Sequence, residues 1–512
     1  MKKRVHALIR FFPKIVFIVV LIAISVATAS ASVHFKVKLD SSKANGDEPI
    51  SGRLLIFMTK SDKPLDMINI DFTNPNAVWI AAEEVTDLQM KHEVDLDADE
   101  LAFPGGFSSA PAGEYQVMAL LDRDHSYTYF NNAGPGDLVS PVVRVTMPTA
   151  ETSLTLSFRL QSRPPAIPAN VRVVEFESPM LSKFWGRPIK MQASVVLPPG
   201  YDKSKTQRYP TVYSIHGYGG DHLNALGGVS AMSKEMSDGT WPEMIYVYLN
   251  AHCPMGHHVF ADSDNNGPWG SALVKEFIPF LEKQFRMDAK PSGRFLTGHS
   301  SGGWSTLWVM ITHPDFFGGT WSTSPDPVDF RSFTGPNFEK LASQTLYTDE
   351  NGKDFNLVRF NGMPVMSVRQ YVMQERVLGY YGGQFASFEA AFSPKGDDGK
   401  PMPIADRETG KVNADVAKAW ERYDISRILR ENWATLGPKL KGKIHIVVGT
   451  ADTFHLDEPV RMLDAELKKL GSDASIEYLE DRDHFNLYQG GLRERFAKEM
   501  YTVARRGQNR MH

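Results

Sequence analysis

The stretch from Gly298 to Gly302 reads Gly-His-Ser-Ser-Gly, a G-x-S-x-G pattern with Ser300 at its centre. An apolar, strand-like run precedes it, and large apolar residues recur at helical spacing from Trp304 to His313. A serine at the tip of a sharp strand-to-helix turn can attack a carbonyl carbon, and glycines beside it let the turn pack against neighbouring backbone. The N–H of Ser301, at the start of the helix, would then face the negative charge that develops on the substrate. The pattern predicts a nucleophile at Ser300; a plain strand-to-helix turn is the alternative.

A serine hydroxyl needs a base to remove its proton and an acid to orient that base. After a turn of this kind the acid and then a histidine follow along the chain. Asp452 comes directly after the apolar run 444–449, at the kind of strand end where parallel sheets build their sites. His484 follows the last predicted strand. We interpret Asp452 as the acid and His484 as the base. An Asx-turn or helix cap is the alternative for Asp452, and its nearest rival, Asp457, resembles a helix N-cap.

A glycine-rich turn, His-Gly-Tyr-Gly-Gly at 216–220, ends the third predicted strand of the second half of the chain. A backbone N–H in such a turn can approach the reacting carbonyl oxygen. We predict an oxyanion hole made of the N–H groups of Tyr218 and Ser301, and losing one such donor costs about 3 kcal/mol of transition-state stabilisation. The His216 side chain is interpreted as structural.

The loop 251–270 is dense in polar and aromatic residues. It contains three histidines, two aspartates and the single cysteine of the chain, Cys253, so an intrachain disulfide is excluded. The spacing matches no metal-binding motif, which makes a zinc site the weaker alternative to a pocket wall or a plain loop. We predict four pocket residues: His299, His257, Asn266 and Trp269. No metal and no cofactor are predicted.

The second half of the chain alternates strands with helices, which predicts a three-layer α/β fold with a mostly parallel sheet. Eight strand-like runs occur, at Val171–Phe176, Ile189–Leu197, Tyr209–His216, Met244–Leu249, Arg294–Thr297, Gly318–Ser322, Ile444–Gly449 and Ile476–Leu479. Four runs have helical spacing, at Ala272–Phe285, Ser301–His313, Glu458–Leu470 and Leu492–Arg505.

A long insertion at 325–441 interrupts this alternation, with helical spacing at 365–378 and 415–429. Insertions of this length between core strands are more often functional than idle. We predict that it caps the site; covering the sheet and mediating oligomer contacts are the alternatives.

Residues 32–160 predict an all-β, immunoglobulin-like sandwich. Short alternating runs are separated by Gly, Pro, Asn and Asp clusters. Five such runs occur, at Val33–Leu39, Gly52–Phe57, Glu114–Leu121, Val142–Thr146 and Thr152–Leu160. The proline-rich segment 161–170 is interpreted as a linker to a catalytic domain at 171–512. The loop 122–132 mixes acids with aromatics; a plain polar loop is favoured over a ligand site.

Residues 1–31 have the pattern of a signal peptide. Basic residues precede an apolar run at 15–27, and Ala-Ser-Ala at 29–31 is an A-x-A cleavage site. This predicts export to the periplasm or the medium, with an uncleaved anchor as the alternative and no stable membrane insertion after cleavage. The net charge of −4 over 512 residues shows no basic surplus, so nucleic acid is not an expected partner. The oligomeric state is left open.

With the motifs at 216–220 and 298–302 and the residues Asp452 and His484, the chain resembles the putative esterase family of α/β-hydrolases. This family includes esterase D-like, feruloyl esterase, enterochelin esterase and antigen 85-like proteins. The resemblance covers about Val171 to Arg505, interrupted by the insertion. It implies an α/β-hydrolase fold with an eight-stranded sheet and carries Ser300, Asp452 and His484 over as a catalytic triad.

The leading hypothesis is an exported serine hydrolase that cleaves small-molecule or carbohydrate-linked carboxylic esters. An acyltransferase with the same triad is the nearest alternative. A non-catalytic carbohydrate or surface-binding protein on a hydrolase scaffold is a further one.

Overall fold

The front part of the chain folds into two β-sheets. The computed structural model describes residues 32–40, 42, 49–88, 93–128, 132–161, 165–340, 344–379 and 383–509, so the predicted signal peptide at 1–31 lies outside the described residues. The strands described before residue 160 are β1 (His34–Leu39), β2 (Gly52–Thr59), β3 (Val78–Val85), β4 (Glu93–Asp97), β5 (Ala102–Phe103), β6 (Gly113–Asp122), β7 (Leu138–Val139), β8 (Val143–Met147), β9 (Glu151–Leu156) and β10 (Phe158–Arg159). One sheet has the order β4-β1-β9, and the other has the order β10-β7-β6-β2-β3-β5, with β8 paired to β6. Each of the five predicted runs contains a strand, while an immunoglobulin-like topology stays a prediction.

Strand β2 is buried on both of its faces. Leu54, Ile56 and Met58 lie between the two front sheets, while Leu55 and Phe57 pack into the core of the second half of the chain. Successive side chains of a strand point to opposite faces, so a strand buried on both sides reads as a continuous apolar run. The front sheets therefore share a hydrophobic core with the rest, and residues 32–512 form one compact unit.

A mixed eight-stranded sheet organises the second half. Its strands are β11 (Val171–Glu177), β12 (Lys190–Val196), β13 (Thr211–Ile215), β14 (Ile245–Leu249), β19 (Arg294–His299), β20 (Gly319–Thr323), β23 (Ile444–Gly449) and β24 (Ser475–Leu479). Four short strands, β15 (His252–Cys253), β16 (Gly256–His257), β17 (Asp262–Ser263) and β18 (Gly267–Pro268), form two small hairpins. The order of the large sheet is β11-β12-β14-β13-β19-β20-β23-β24. β12 is antiparallel to both of its neighbours, and the other pairings are parallel. This arrangement is α/β-hydrolase-like, and each of the eight predicted strands is present.

Helices cover both faces of this sheet. The described α-helices are α1 (Pro179–Trp185), α2 (Val229–Ser237), α3 (Trp269–Ala272), α4 (Ile278–Gln284), α5 (Ser301–Thr312), α6 (Val368–Leu378), α7 (Gln384–Phe392), α8 (Ala414–Trp420), α9 (Ile425–Leu440), α10 (Asp457–Lys469) and α11 (Leu492–Asn509). On one face α2 and α11 pack against Phe295 and Trp321; on the other, α5 and α10 pack against Leu296 and Ile446. No helix within the described ranges has the length and apolar character needed to cross a membrane.

The insertion contains the hairpin β21 (Asn356–Phe360) and β22 (Met363–Ser367) and the helices α6 to α9. Helix α6 begins with a capping box between Ser367 and Gln370. At its other end, the guanidinium of Arg53 from β2 donates to the carbonyl oxygens of Arg376 and Val377 at 3.0 to 3.1 Å. The insertion is therefore fastened to the front sheets as well as to the large sheet. Helix α7 and strand β21 lie outside the two segments for which the sequence predicts helices. The prediction at 365–378 is wrong for its first three residues, which belong to β22, because α6 begins only after its cap residue Ser367.

Replacing the buried Glu375 of α6 by glutamine is expected to raise stability at high pH. Its Oε1 accepts hydrogen bonds from the N–H groups of Phe385 and Ala386, and burial raises its pKa to about 8 despite the attraction of Arg407. Between the ordinary value of 4.5 and about 8 the folded chain keeps a proton that the unfolded chain has lost, so the free energy of unfolding falls as the pH rises through this window.

Glutamine keeps the acceptor and cannot ionise. The thermal midpoint of Glu375→Gln should therefore exceed that of the wild type by a few degrees at about pH 9, and differ little at about pH 4. Exposed Glu408→Gln serves as the control. An identical shift at both pH values would contradict the expectation.

Candidate active site

Ser300 forms the turn between β19 and α5 in a strained backbone conformation, with φ 58° and ψ −125°. Few residues other than glycine adopt this region, and it persists only where the surroundings enforce it. The flanking glycines permit close packing: a Cβ atom on Gly302 would collide with the carbonyl oxygen of Ile215 in β13, and one on Gly298 with the carbonyl oxygen of Gly302. The turn thus holds the Ser300 hydroxyl at the carboxyl end of the sheet.

His484 and Asp452 form a buried hydrogen bond, with 3.0 Å between Nδ1 and Oδ2 and exposed fractions of 5% and 0%. The other carboxylate oxygen accepts the N–H groups of Phe454 and Leu456. Burial acts to raise the pKa of Asp452, but the attraction of His484 and these hydrogen bonds outweigh it, and the net pKa is lowered. A carboxylate only accepts hydrogen bonds, so Nδ1 of His484 carries the proton and Nε2 carries the lone pair.

The loops that carry these residues leave the carboxyl ends of neighbouring strands. Ser300 follows β19, Asp452 follows β23 and His484 follows β24. The N–H of Ala451 donates to the carbonyl oxygen of Arg482 at 3.0 Å, which ties the last two loops together. The sheet topology therefore brings the three predicted residues to one edge although up to 184 positions separate them in sequence.

His299 lies against His484 and does not line the cavity beside Ser300. The two rings are 4.4 Å apart between centroids, and His299 Nδ1 is 3.1 Å from the hydroxyl oxygen of Thr323. Burial lowers the pKa of His299 to about 3, so its ring is neutral at physiological pH. Its geometry suits support of the His484 ring, in contrast to the predicted contact with substrate.

Asp326 is the site residue that sequence reasoning missed. Its Oδ1 accepts a hydrogen bond from the Ser300 hydroxyl at 3.3 Å, and its Oδ2 accepts one from the Ser301 hydroxyl. Burial raises the pKa of Asp326 to about 6, against these hydrogen bonds and the attraction of His484. The sequence did contain a signal for Asp326: it lies just after β20, at the carboxyl edge of the sheet, and the same kind of position was the reason for choosing Asp452.

The two segments that carry the predicted oxyanion donors lie next to Ser300. Ser301 is the first residue of α5, and the N–H groups of a first helical turn have no acceptor within the helix. The turn that contains Tyr218 follows β13, and a Cβ atom on Gly217 would lie 3.2 Å from the Ser300 Cβ. The Tyr218 hydroxyl hydrogen-bonds the Thr128 side chain of the front sheets. An oxyanion role for both N–H groups stays a prediction.

The other three predicted pocket residues pack away from the cavity beside Ser300. His257 donates through Nε2 to the carbonyl oxygen of His216 at 3.0 Å, and the indole of Trp269 donates to the carbonyl oxygen of Asn266 at 2.9 Å. All three side chains are buried, at 1% to 7% exposure, and the cavity wall includes none of them. The reason is that loop 251–270 folds into the two small hairpins, whose polar groups bind each other and helix α7.

Nothing in loop 251–270 gathers metal ligands in the described structure. Within the described ranges, the side chains close enough to share a metal ion are Asp122, Asp124 and Asp137 of the front sheets. The Cys253 thiol is buried, which raises its pKa to about 12, so it is not a reactive thiolate.

A cavity of about 490 Å³, part of it open to solvent, lies beside Ser300. Nine of its twelve lining residues belong to the insertion 325–441. Most of the wall is apolar and includes Leu357, Val368, Phe385 and Phe388. An apolar wall at the nucleophile suits the acyl part of an ester, and the contribution of the insertion agrees with a cap over the site.

Arg359 of the insertion clamps the loop that carries Asp452. Its Nε donates to the carbonyl oxygen of Asp452 at 2.9 Å, and its Nη2 contacts the carbonyl oxygen of Thr450 and the carboxylate of Asp457. Asp457 is the first residue of α10 and not its N-cap; it pairs with Arg359 and Arg461.

Replacing Arg359 by alanine is expected to lower kcat by about 100-fold with little change in KM, because small misplacements of catalytic groups have effects of this size. Steady-state kinetics on a chromogenic ester would measure it. Arg461→Ala removes the other partner of Asp457 and leaves the loop carbonyls paired, so it is the matched control. Equal losses in both variants would contradict a role of the clamp.

The comparison with protein families decides where the chain belongs. Residues 186–495 match the model of the family described as Putative esterase. The chain belongs to this family. The matched range contains Ser300, Asp452 and His484 and every residue that lines the cavity. Membership supports a carboxylic ester hydrolase.

Named relatives of this esterase-family chain include hydrolases of several kinds. An endo-1,4-beta-xylanase/feruloyl esterase of Xylanibacter ruminicola is 29% identical over 143 residues, which are 26% of this chain and 20% of the relative. The chain thus matches about a fifth of the length of this curated relative. Solved structures include an S-formylglutathione hydrolase from Agrobacterium tumefaciens, 14% identical with a TM-score of 0.39, covering 67% of this chain and 98% of that one. A ferulic acid esterase from Anaeromyces mucronatus in complex with ferulic acid is 14% identical with a TM-score of 0.34, covering 67% and 93%.

Proposed function

We propose that this chain is an exported serine hydrolase that cleaves carboxylic esters through an acyl-enzyme on Ser300, with His484 as the base and Asp452 as its orienting acid. The observation that carries the proposal is the buried hydrogen bond between His484 and Asp452, at the sheet edge where Ser300 occupies its strained turn. A buried ion pair with a purely structural role does not require a strained serine beside it, and a strained serine turn does not require a buried imidazole. Their combination supports nucleophilic catalysis.

In the first half of the reaction, Ser300 Oγ attacks the acyl carbon and His484 Nε2 takes its proton. The tetrahedral intermediate carries its negative charge next to the N–H groups of Ser301 and Tyr218. It collapses when the bond to the alcohol oxygen breaks and His484 returns the proton to that oxygen. The alcohol leaves, and the acyl group stays on Ser300.

In the second half, water replaces the alcohol. His484 takes one proton from the water as its oxygen attacks the acyl carbon, and then returns the proton to Ser300 Oγ as the acid leaves. Asp452 keeps Nδ1 protonated throughout and stabilises the imidazolium that forms in each half. Nucleophile–base hydrogen bonds often tighten only when substrate binds. The Ser300 hydroxyl therefore has to turn from Asp326 to His484 on binding.

The substrate in this proposal is a small-molecule or carbohydrate-linked ester. The apolar wall of the cavity supports an acyl group there, and the name of the Xylanibacter ruminicola relative supports an ester of a carbohydrate. Export rests on the signal-peptide pattern at 1–31.

A fluorophosphonate probe is expected to label the purified chain at Ser300, since such probes react with activated serines and spare ordinary ones. Peptide mapping by mass spectrometry would locate the label. Ser305→Ala removes a buried hydroxyl from α5, the helix that follows Ser300, and should be labelled like the wild type. Ser300→Ala should not be labelled. Labelling at another serine, or none, would refute the proposal. A panel of acetyl, feruloyl and longer acyl esters would then define the substrate.

A further inference from the structure

One wall of the cavity beside Ser300 is polar, and a chain of hydrogen bonds in it runs toward Asp326. The Tyr371 hydroxyl donates to Gln384 Oε1 at 3.3 Å, and Gln384 Nε2 approaches the Ser301 hydroxyl oxygen at 3.3 Å. The Ser301 hydroxyl then donates to Asp326 Oδ2. The Ser300 hydroxyl donates to Asp326 Oδ1 from the other side. The Asp326 carboxylate is the acceptor on which these donors end.

Within the cavity wall, hydrogen-bond donors and not cations face this carboxylate, while His484 attracts it from outside the wall. Asp326 is 4% exposed, and none of the described residues that line the cavity is Lys, Arg or His. Burying a carboxylate is tolerated when hydrogen-bond donors surround it. The hydroxyl of Ser300 is one of those donors.

The reaction removes this donor. The Ser300 hydroxyl turns from Asp326 to His484 when substrate binds, and the donor stays absent for as long as the acyl-enzyme exists. When the bond between Ser300 Oγ and the acyl carbon forms, the hydroxyl proton passes through His484 to the leaving alcohol, and Oγ has no hydrogen left to donate. Oδ1 of Asp326 then lacks the hydrogen bond that Ser300 supplied. Leaving a buried charged acceptor short of a partner is more costly than the hydrogen bond itself is worth. An acyl group that supplies a new donor at this place avoids the cost.

Resting on the proposed function, we propose that Asp326 is a specificity-determining residue that selects acyl groups carrying a hydroxyl or ammonium group on the first or second carbon beyond the carbonyl. Substituents on these carbons lie within a few bonds of Oγ, so a hydroxyl or ammonium hydrogen on them can reach the Asp326 Oδ1 atom that accepts from Ser300 in the free chain. A donor farther along the acyl chain points into the apolar part of the cavity. An acyl group with a carboxylate is disfavoured because it brings a second negative charge to Asp326, and no Lys, Arg or His is among the described residues that line the cavity.

The test compares kcat/KM for three matched esters, p-nitrophenyl 3-hydroxybutyrate, p-nitrophenyl butyrate and p-nitrophenyl succinate. The wild type should prefer hydroxybutyrate to butyrate by about 10- to 100-fold, the range expected for a hydrogen bond to a charged group. Succinate should be the poorest of the three. In Asp326→Ala the preference for hydroxybutyrate should fall to near one. Because both esters are measured on the same preparation, their ratio does not depend on how much of the variant is folded and active.

Two further variants sharpen the test. Asp326→Asn keeps the shape of the side chain and removes its charge, so most of the preference for hydroxybutyrate over butyrate should be lost. The rate with succinate relative to butyrate should rise. This variant also provides the test if Asp326→Ala fails to fold. Thr334→Val changes another polar side chain of the cavity, whose hydroxyl donates to the carbonyl oxygen of Phe333, and should leave the ratio unchanged. A wild-type ratio near one, or a high ratio that persists in Asp326→Ala, would overturn the inference while leaving the proposed function intact. Hydrolysis of all three esters by Ser300→Ala would instead overturn the proposed function.

Discussion

Replacing Ser300 by alanine is expected to lower kcat for a good ester substrate by about 10⁵- to 10⁶-fold, the size of the loss when the nucleophile of a serine hydrolase is removed. Alanine retains the backbone turn but has no oxygen to form the acyl-enzyme. KM should change much less, because eleven of the twelve residues that line the cavity are left unchanged. The rate that remains reflects the oxyanion donors and substrate positioning.

The variant should fold as well as the wild type. The Ser300 hydroxyl contributes one hydrogen bond of 3.3 Å to Asp326, and alanine tolerates the φ of 58° about as poorly as serine does. Circular dichroism and the thermal midpoint would establish folding before the kinetics are read. Activity within about tenfold of the wild type would show that another group carries the reaction.

Replacing Asp452 by asparagine should lower kcat by about 10⁴-fold while the fold is retained, as the wrong histidine tautomer does in serine proteases. The structure explains why the tautomer would be wrong. Oδ1 accepts the N–H groups of Phe454 and Leu456 at 3.0 and 3.3 Å, so the amide oxygen of asparagine must take this place. The amide NH₂ then faces Nδ1 of His484 and forces the proton to Nε2, where the base needs its lone pair.

Two other aspartates near the site are the controls. Asp457→Asn changes a carboxylate that pairs with Arg359 and Arg461 and does not touch His484, so its loss should stay below about tenfold. Asp326→Asn removes the other buried carboxylate of the site without changing the partner of Nδ1, and its main effect should be on acyl preference. If Asp457→Asn lost as much kcat as Asp452→Asn, the assignment of Asp452 as the orienting acid would be contradicted. Measuring kcat between pH 6 and 9 would separate a tautomer effect, present throughout, from a shifted titration.

The buried histidines show why residue types alone mislead. His299 adjoins the candidate nucleophile in sequence and His257 lies in a loop dense in polar residues, and histidine is a common substrate ligand. In the structure each ring hydrogen-bonds to a partner within the chain: the His257 ring to a backbone carbonyl and the His299 ring to the Thr323 hydroxyl. Burial lowers the pKa of both, so neither is a cation at neutral pH. Sequence position does not record whether a histidine nitrogen is already paired.

Short-range patterns in the sequence were sufficient to predict the strands of the large sheet, the turn at Ser300 and the order of Asp452 and His484 along the chain. Apolar runs, glycine spacing and strand ends are local properties, and parallel strands carry their carboxyl ends to one edge whatever the loops between them do. The site follows from this rule because each of its residues sits just after a strand.

Only the tertiary structure decided what surrounds Ser300. The partner of its hydroxyl, Asp326, comes from the loop after β20, and most of the cavity wall comes from the insertion, whose helix α6 is held in turn by Arg53 of the front sheets. These contacts join segments tens to hundreds of residues apart and depend on which faces of helices and strands pack together. No local pattern encodes such packing, since the same apolar residue can face a shared core, as Leu55 does, or a substrate cavity, as Leu357 does.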